Sequence, residues 1–306
     1  MLNIFNYFKR PEYVFRPRQV LNRIRRTGKP TPPRARVSLP WRAEVHVSTT
    51  ENVGNEIYWY GIFDKIVPEA LWRLMEPGEI TIDIGANIGQ NTSALAFESG
   101  RDGKVIAFEP HPEIFKELET NVRLWPENFQ RNVQLENVAL GEADEEAWLA
   151  DGPEFQNNRG SASLSTGGLE TIQGGKHRVS VRRLDEYLTP PMTVGVCKID
   201  VEGHEFGVLK GAINALNRRA IRDVIFEDFN PKPSRVTDFL SQHGFSFFEL
   251  HETWLKPRLM PMELGRIATR LEGFAYNYLA TLDPERAQKR FQSGGWQCLM
   301  GSRHRE

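Results

Sequence analysis

Apolar positions in the middle of the chain come as short unbroken runs that alternate with stretches of helical spacing. Residues 79–85, 104–110, 194–201 and 221–229 read as buried strands. Between them, 91–99 reads as a helix, and Pro112 opens another whose Ile114, Leu118 and Val122 recur every four residues. Leu209, Ala212, Ile213 and Leu216 fit the i, i+3, i+4, i+7 face of a third. Ahead of the first strand, Leu71, Leu74 and Met75 share a face of a helix that Pro68 can open and Pro77-Gly78 stops. Residues 133–141 and 146–149 read as strands joined by a turn at Gly141. Later, Val236, Phe239 and Leu240 mark a helix, 245–250 a strand, 275–281 a last strand and 284–291 a closing helix. This rhythm predicts an α/β fold, a doubly wound, mostly parallel sheet with helices on both faces.

Two segments break the pattern. Residues 153–178 are rich in Gly, Ser, Asn and Thr, and residues 251–273 carry Pro257, Pro261 and several basic residues. Ligands of such sheets bind outside the carboxyl ends of the strands, where insertions hang, so both are candidate substrate walls. Taken singly, each reads equally well as a surface loop without a function.

Composition changes this picture at one end only. The 306 residues carry 39 Lys and Arg against 40 Asp and Glu, but residues 1–45 hold eleven basic and two acidic side chains, leaving the remainder strongly acidic. The expected division is therefore a basic N-terminal arm, 1–45, and one folded domain, 46–306. The arm also holds Ile4, Phe5, Tyr7 and Phe8, and then Val20, Leu21 and Ile24 between arginines. That mixture suits peripheral contact with an anionic membrane through residues 1–40, and suits equally a solvated extension packed on the domain. An acidic body without a basic stripe argues against nucleic acid. No window has the roughly 18 consecutive apolar residues of a spanning helix, and the first residues lack a secretory pattern. Two cysteines cannot build a disulfide framework. A cytoplasmic protein is expected, with the inner membrane surface as a peripheral location.

The candidate chemistry sits at strand ends. Residues 81–90, from Thr81 to Gln90, run from a buried strand through Gly85 and Gly89 into a helix, as nucleotide-binding loops do, the glycines allowing a tight turn and close approach of a ligand. The three-glycine spacing for a pyrophosphate is missing. Asp83 and Asn87 instead suit a cationic ligand, such as an amino-acid ammonium beside a sulfonium. Glu109 ends the second strand 24 residues after Gly85, where an acid can accept from two ribose hydroxyls. Asp200, Glu202 and His204 converge at a third strand end, with His204 at a helix start that favours its neutral form. Glu227 and Asp228 end the next strand. Acids at neighbouring strand ends could hold Mg²⁺ or orient substrate hydroxyls; no metal is predicted, since nothing fixes an octahedral site.

These motifs are similar to those of the FkbM family of S-adenosylmethionine-dependent methyltransferases. The resemblance covers roughly residues 60–279. It is carried by 82–89, Phe108-Glu109-Pro110, 137–141, 184–187, 209–212 and above all 198–205, with a further family-like stretch at 158–164. It implies a class I methyltransferase Rossmann-like sheet with its last strand antiparallel, and S-adenosyl-L-methionine as cofactor. Asp83, Gly85 and Asn87, within the loop that Gly89 completes, would meet the methionine half, Glu109 the ribose, and the segment from Asn137 to Ala139 the adenine. O-methylation of a sugar, glycolipid or secondary-metabolite hydroxyl, a small-molecule or glycan acceptor, is the implied reaction. His204 or Asp200 would serve as base, and Glu202 and Glu227 would orient them or the substrate. The competing readings are a nicotinamide-dependent oxidoreductase and a membrane-docked interaction module with a vestigial pocket.

Overall fold

The computed structural model describes residues 11–152, 155, 157–165, 175–228, 230, 233–262 and 277–301. After helices at Pro11–Phe15 and Pro17–Arg26, a hairpin forms from β1 (Arg34–Ser38) and β2 (Glu44–Ser48). There follow β3 (Ile80–Ile84), β4 (Lys104–Phe108), β5 (Val133–Glu136), β6 (Ala139–Leu140), β7 (Glu145–Ala150), β8 (Ser163–Ser165), β9 (Lys176–Arg182), β10 (Val194–Ile199), β11 (Ile221–Glu227), β12 (Ser246–His251), β13 (Arg258–Pro261) and β14 (Asn277–Thr281).

The main sheet has the order β13-β12-β14-β11-β10-β3-β4-β5. β5, β4, β3, β10 and β11 are parallel, and β14 is inserted antiparallel between β11 and β12. Every residue of β10 is buried, so its apolar run reads without alternation. Helices Ile66–Leu74, Gln90–Ser99 and Pro112–Val122 bury their apolar stripes in one cluster. Glu205–Lys210, Ile213–Asn217 and Arg235–Gln242 do so in a second cluster on the opposite face. From β3 the chain runs outward through β4 to β5, then returns to β10 on the other side of β3. That reversal opens a crevice at the carboxyl ends of β3 and β10, the usual place for a ligand.

The doubly wound fold and its antiparallel last strand agree with the expectation, and four local features differ from it. The run 133–141 is two strands in two sheets. At Asn137 the chain leaves the main sheet, its amide donating to the carbonyls of Glu109 (2.8 Å) and Pro110 (3.2 Å), and β6 joins a four-stranded sheet of order β6-β9-β7-β8. β9 begins inside the segment read as a loop. The helix expected through 209–216 is broken into two: the Gly211 carbonyl accepts from the Asp185 N–H at 2.9 Å, and the Asp185 carboxylate accepts from the Asn214 and Ala215 N–H groups at 3.0 and 2.9 Å, so a second helix starts there. Finally, packed structure reaches back past residue 45. Val37, Leu39, Trp41, Ala43, Val45 and Val47 are buried in the first cluster, and the Trp41 indole donates to Ser93 Oγ at 2.9 Å. The arginines interleaved in β1 mask this alternation. Residues 275–276 of the expected last strand, and the arm residues 1–10, lie outside the described residues.

Candidate functional site

A cavity of about 490 Å³ occupies the crevice, within the range of small-molecule sites. One side is the turn after β3. Gly85 and Ala86 donate their N–H groups to the Phe108 carbonyl at 3.0 and 2.9 Å. Gly85 has φ +78°, and a Cβ there would lie 1.9 Å from the Asp200 carbonyl oxygen, so glycine is required both by conformation and by space. Glu109, at the end of β4, accepts from the Asn87 N–H (2.8 Å) and the His111 N–H (2.9 Å), which ties the turn to the next strand end. Each carboxylate oxygen retains a lone pair for a ligand. Burial, offset in part by those two hydrogen bonds, raises the Glu109 pKa to about 7.

Gly85, Asn87 and Glu109 line the cavity, whereas Asp83, Gly89 and Asn137 do not. Asp83 is fully buried beneath the turn, where Thr92 donates to it at 2.6 Å and Lys198 Nζ stands 3.4 Å away. Its charge is balanced inside the protein by the neighbouring strand, since Lys198 and Asp83 are register partners. Gly89 faces Leu118, which would stand 2.7 Å from an added Cβ. Asn137 holds the backbone of Glu109 and Pro110, while Val138, Ala139 and Leu140 supply the wall.

The other side carries the acids. Asp200, Glu202, His204 and Glu227 all line the cavity, as the sequence grouped them. Glu202 adopts φ +51° and Gly203 φ +90°, a left-handed pair that turns the chain from β10 into the next helix. Asp64, which no local motif marks, lines the same side and accepts from Asn277 Nδ2 at 2.9 Å. Asn277 is the register partner of Glu227. Asp64, Asn277, Glu227 and Asp200 therefore form a row across the ends of three strands and the turn before helix Ile66–Leu74. His204 lies apart from that row, beside Gly207 and Gly141, and burial lowers its pKa. The first expected wall is present in its described part. Asn158, Arg159 and Gly160 line the cavity, a Cβ on Gly160 would be 3.6 Å from Glu202 and 3.7 Å from Asn87, and Arg159 pairs with Glu117 at 2.8 Å. No described residue of 251–262 lines it.

Crowded carboxylates leave a signature in stability. Burial and Asp200 raise Glu202 to about 7, burial and Glu252 raise Asp64 to about 7, and burial with Asp200 and Asp64 raises Glu227 to about 8. With Glu109, these folded-state values exceed the unfolded ones, so the native state binds the protons more tightly and loses stability as pH climbs. His111 and His204 are lowered mainly by burial and act in reverse, costing stability as pH falls below their unfolded value. The melting temperature of the ligand-free protein is expected to fall by several degrees between about pH 5 and about pH 8, because the four raised carboxyl groups outweigh the two lowered histidines. A scanning-fluorimetry profile that is flat over that interval contradicts the assignment.

Among the described residues, His111, Asp151 and His177 have potential metal-ligand atoms within 4.8 Å of one another. His111 Nδ1, however, caps helix Pro112–Val122 by accepting from the Glu113 and Ile114 N–H groups at 3.2 and 3.4 Å. Its Nε2 must then carry the proton, which it directs at Asp151 (3.2 Å), and in that tautomer it has no lone pair for a cation.

The strand order, the antiparallel β14 and the glycine turn facing Glu109 define a class I methyltransferase fold. The chain belongs to the Methyltransferase FkbM domain family, whose model matches residues 83–247, more than half of its length. It is 32% identical over 172 residues to the hexuronic acid methyltransferase AglP of Haloferax volcanii, a match spanning 56% of this chain and 65%, just under two thirds, of AglP. It is 27% identical over 203 residues to Methyltransferase 1 of Beauveria bassiana, covering 58% and 76% of the two chains. A SAM-dependent O-methyltransferase of Thermotoga maritima aligns at 17% identity and a TM-score of 0.39, over 82% of this chain and 94% of that one.

Proposed function

We propose that this protein transfers a methyl group from S-adenosylmethionine to a hydroxyl group of a neutral sugar or related polyol, free or carried on a lipid or metabolite. The carrying observation is the division of one cavity into a Gly85–Asn87–Glu109 side and a carboxylate row. Bound S-adenosylmethionine would supply an electrophilic methyl carbon on a sulfonium. The residues fit it: the glycine turn admits a close backbone approach, and the free lone pairs of Glu109 suit two ribose hydroxyls. Methyl transfer would join the acceptor oxygen to that methyl carbon with cleavage of the carbon–sulfur bond, so the acceptor's proton would have to leave. Glu227, which lines the cavity in the carboxylate row, is assigned that proton, because burial, with Asp200 and Asp64 beside it, raises its pKa to about 8. Asp64, Glu202 and Asn277 orient the remaining hydroxyls. Positioning of this kind can supply about 7–11 kcal/mol of a barrier. The four carboxyl groups can hydrogen-bond to the hydroxyls of a neutral sugar, and an anionic sugar would add to the crowding of negative charge that already raises Glu202, Asp64 and Glu227, which favours a neutral sugar over the hexuronic acid named for AglP.

Calorimetric titration with S-adenosylmethionine and S-adenosylhomocysteine, with NAD as control, tests the cofactor half. Both adenosyl compounds are expected to bind and NAD not to. Glu109→Ala should weaken them by at least about 100-fold, the loss of two hydrogen bonds to a charged acceptor. Tight NAD binding would transfer the cavity to oxidoreductase chemistry. A subsequent methyl-transfer screen should favour neutral sugars over uronic acids; the reverse preference would refute the acceptor assignment.

A further inference from the structure

Helix Pro17–Arg26 is packed inside out. Gln19, Arg23 and Arg26, spaced four and three residues apart, form the face that meets the protein. Gln19 is buried with its amide 3.5 Å from the Trp59 carbonyl, Arg23 lies over the Tyr60 ring at 4.8 Å, and Arg26 lies over the Tyr58 ring at 4.1 Å while bonding the Tyr58 carbonyl. The outward side presents Leu21 (53% exposed) and Ile24 (63% exposed) with Arg18 and Arg25 around them. A surface helix of a soluble domain ordinarily turns its leucines in and its arginines out. Here three aromatic residues of helix Asn52–Tyr60 give the guanidinium groups and the Gln19 amide a place to dock, and the apolar pair is left outside.

Further exposed apolar side chains stand on neighbouring segments. Val14 and Met300 are exposed, and so are Trp254 (47%) and Leu255 (58%). They belong to adjoining segments. A Cβ on Gly295 would stand 3.1 Å from Met300 and 3.5 Å from Phe15, the Gly295 N–H donates to the Leu255 carbonyl at 3.1 Å, and Lys65 binds Glu12 (3.5 Å) and Glu252 (3.0 Å). Lys65 follows Asp64 in sequence, so the patch adjoins the acceptor end of the cavity. Large exposed aliphatics, a tryptophan and flanking arginines are the composition of a headgroup-level contact: the apolar side chains enter the acyl boundary and the cations meet anionic lipid. None of the described helices is long and apolar enough to cross a membrane, so the contact is peripheral.

We infer that the outward face of helix Pro17–Arg26, with Val14, Trp254, Leu255 and Met300, docks the protein on an anionic bilayer. This goes beyond the proposed methyl transfer and does not depend on it. The chemistry that selects this partner is the pairing of cations with aliphatics. An anionic polymer such as nucleic acid would use the arginines and leave Leu21 and Ile24 in water.

The test is co-sedimentation of the full chain with phosphatidylcholine vesicles, with and without phosphatidylglycerol. Wild type should pellet with the anionic vesicles, less at high salt and weakly with phosphatidylcholine alone. Leu21→Asp with Ile24→Asp should reduce partitioning by at least about ten-fold. Its melting temperature should be kept, because both side chains are exposed. Arg18→Gln with Arg25→Gln should lose the phosphatidylglycerol-dependent part only. Failure of wild type to pellet, or equal pelleting of wild type and the aspartate variant, overturns the inference. So does a result in which the aspartate pair alters the sedimentation-velocity mass and leaves vesicle binding unchanged, since the face would then join copies of the chain.

Discussion

Glu227→Gln should lower the turnover of methyl transfer by about 10²- to 10⁴-fold, the usual contribution of a general base, while leaving S-adenosylmethionine affinity within about two-fold. Glu227 stands at the end of β11, facing the cavity, with Asn277 as its register partner, and burial, added to by Asp200, Asp64 and Glu202, raises its pKa to about 8. A carboxylate shifted that far is a much stronger proton acceptor than a free one, though it is unprotonated in only part of the molecules at neutral pH. Turnover of wild type should therefore rise with pH through about 8, with an apparent value belonging to the whole cluster. Asp64→Asn removes one of the charges that raise Glu227, so its rising limb should move to lower pH. A variant that merely loosened the pocket would lower the plateau and leave the limb in place. If Glu227→Gln keeps its turnover and the wild-type limb, the base lies elsewhere, and His204 or Asp200 is the next to be replaced.

What the sequence revealed about this site divides by distance along the chain. The turn through Gly85 and Asn87, Glu109 at the end of the next strand, and the trio Asp200, Glu202 and His204 are local patterns, because a strand-to-helix transition writes its glycines and acids within a few residues. Asp64 and Asn277 are separated by more than two hundred positions and meet only because β14 is inserted beside β11. No spacing rule carries such a pair. Asp83 shows a different limit: its position at a strand end was legible, but whether it faces outward or inward depends on the register that puts Lys198 beside it. The N-terminal region misleads for a third reason. Arginines in β1 and in helix Pro17–Arg26 look like a solvated arm by charge count, yet β1 packs into the core and Arg23 and Arg26 lie on tyrosine rings. Charge counts say nothing about the aromatic surface that can receive a guanidinium.

Lys198→Met tests the buried cation at the base of the site. Lys198 is 3% exposed, donates to the Gly85 carbonyl at 2.8 Å, and stands 3.4 Å from Asp83 Oδ1 and 3.3 Å from Asp200 Oδ2. Burial alone would lower its pKa, but Asp200 and Asp83 raise it above the ordinary value, so it remains charged. Asp83 Oδ1 has no hydrogen-bond partner and relies on this cation alone, its other oxygen being held by Thr92. Methionine retains the volume and removes the charge, leaving a fully buried carboxylate uncompensated. The expected loss is about 3–5 kcal/mol, or roughly 5–8 °C in melting temperature for a chain of this length. The Gly85 carbonyl loses its donor at the same time, so the turn should loosen and S-adenosylmethionine binding should fall further than stability alone explains. The partner variant supplies the control. Asp83→Asn in the Lys198→Met background removes the buried charge and should restore part of the stability, a coupling that independent sites do not show. If the two losses simply add, the ion pair is not what anchors the turn, and the rigidity of the Gly85 loop must come from its hydrogen bonds to Phe108 and Glu109 alone.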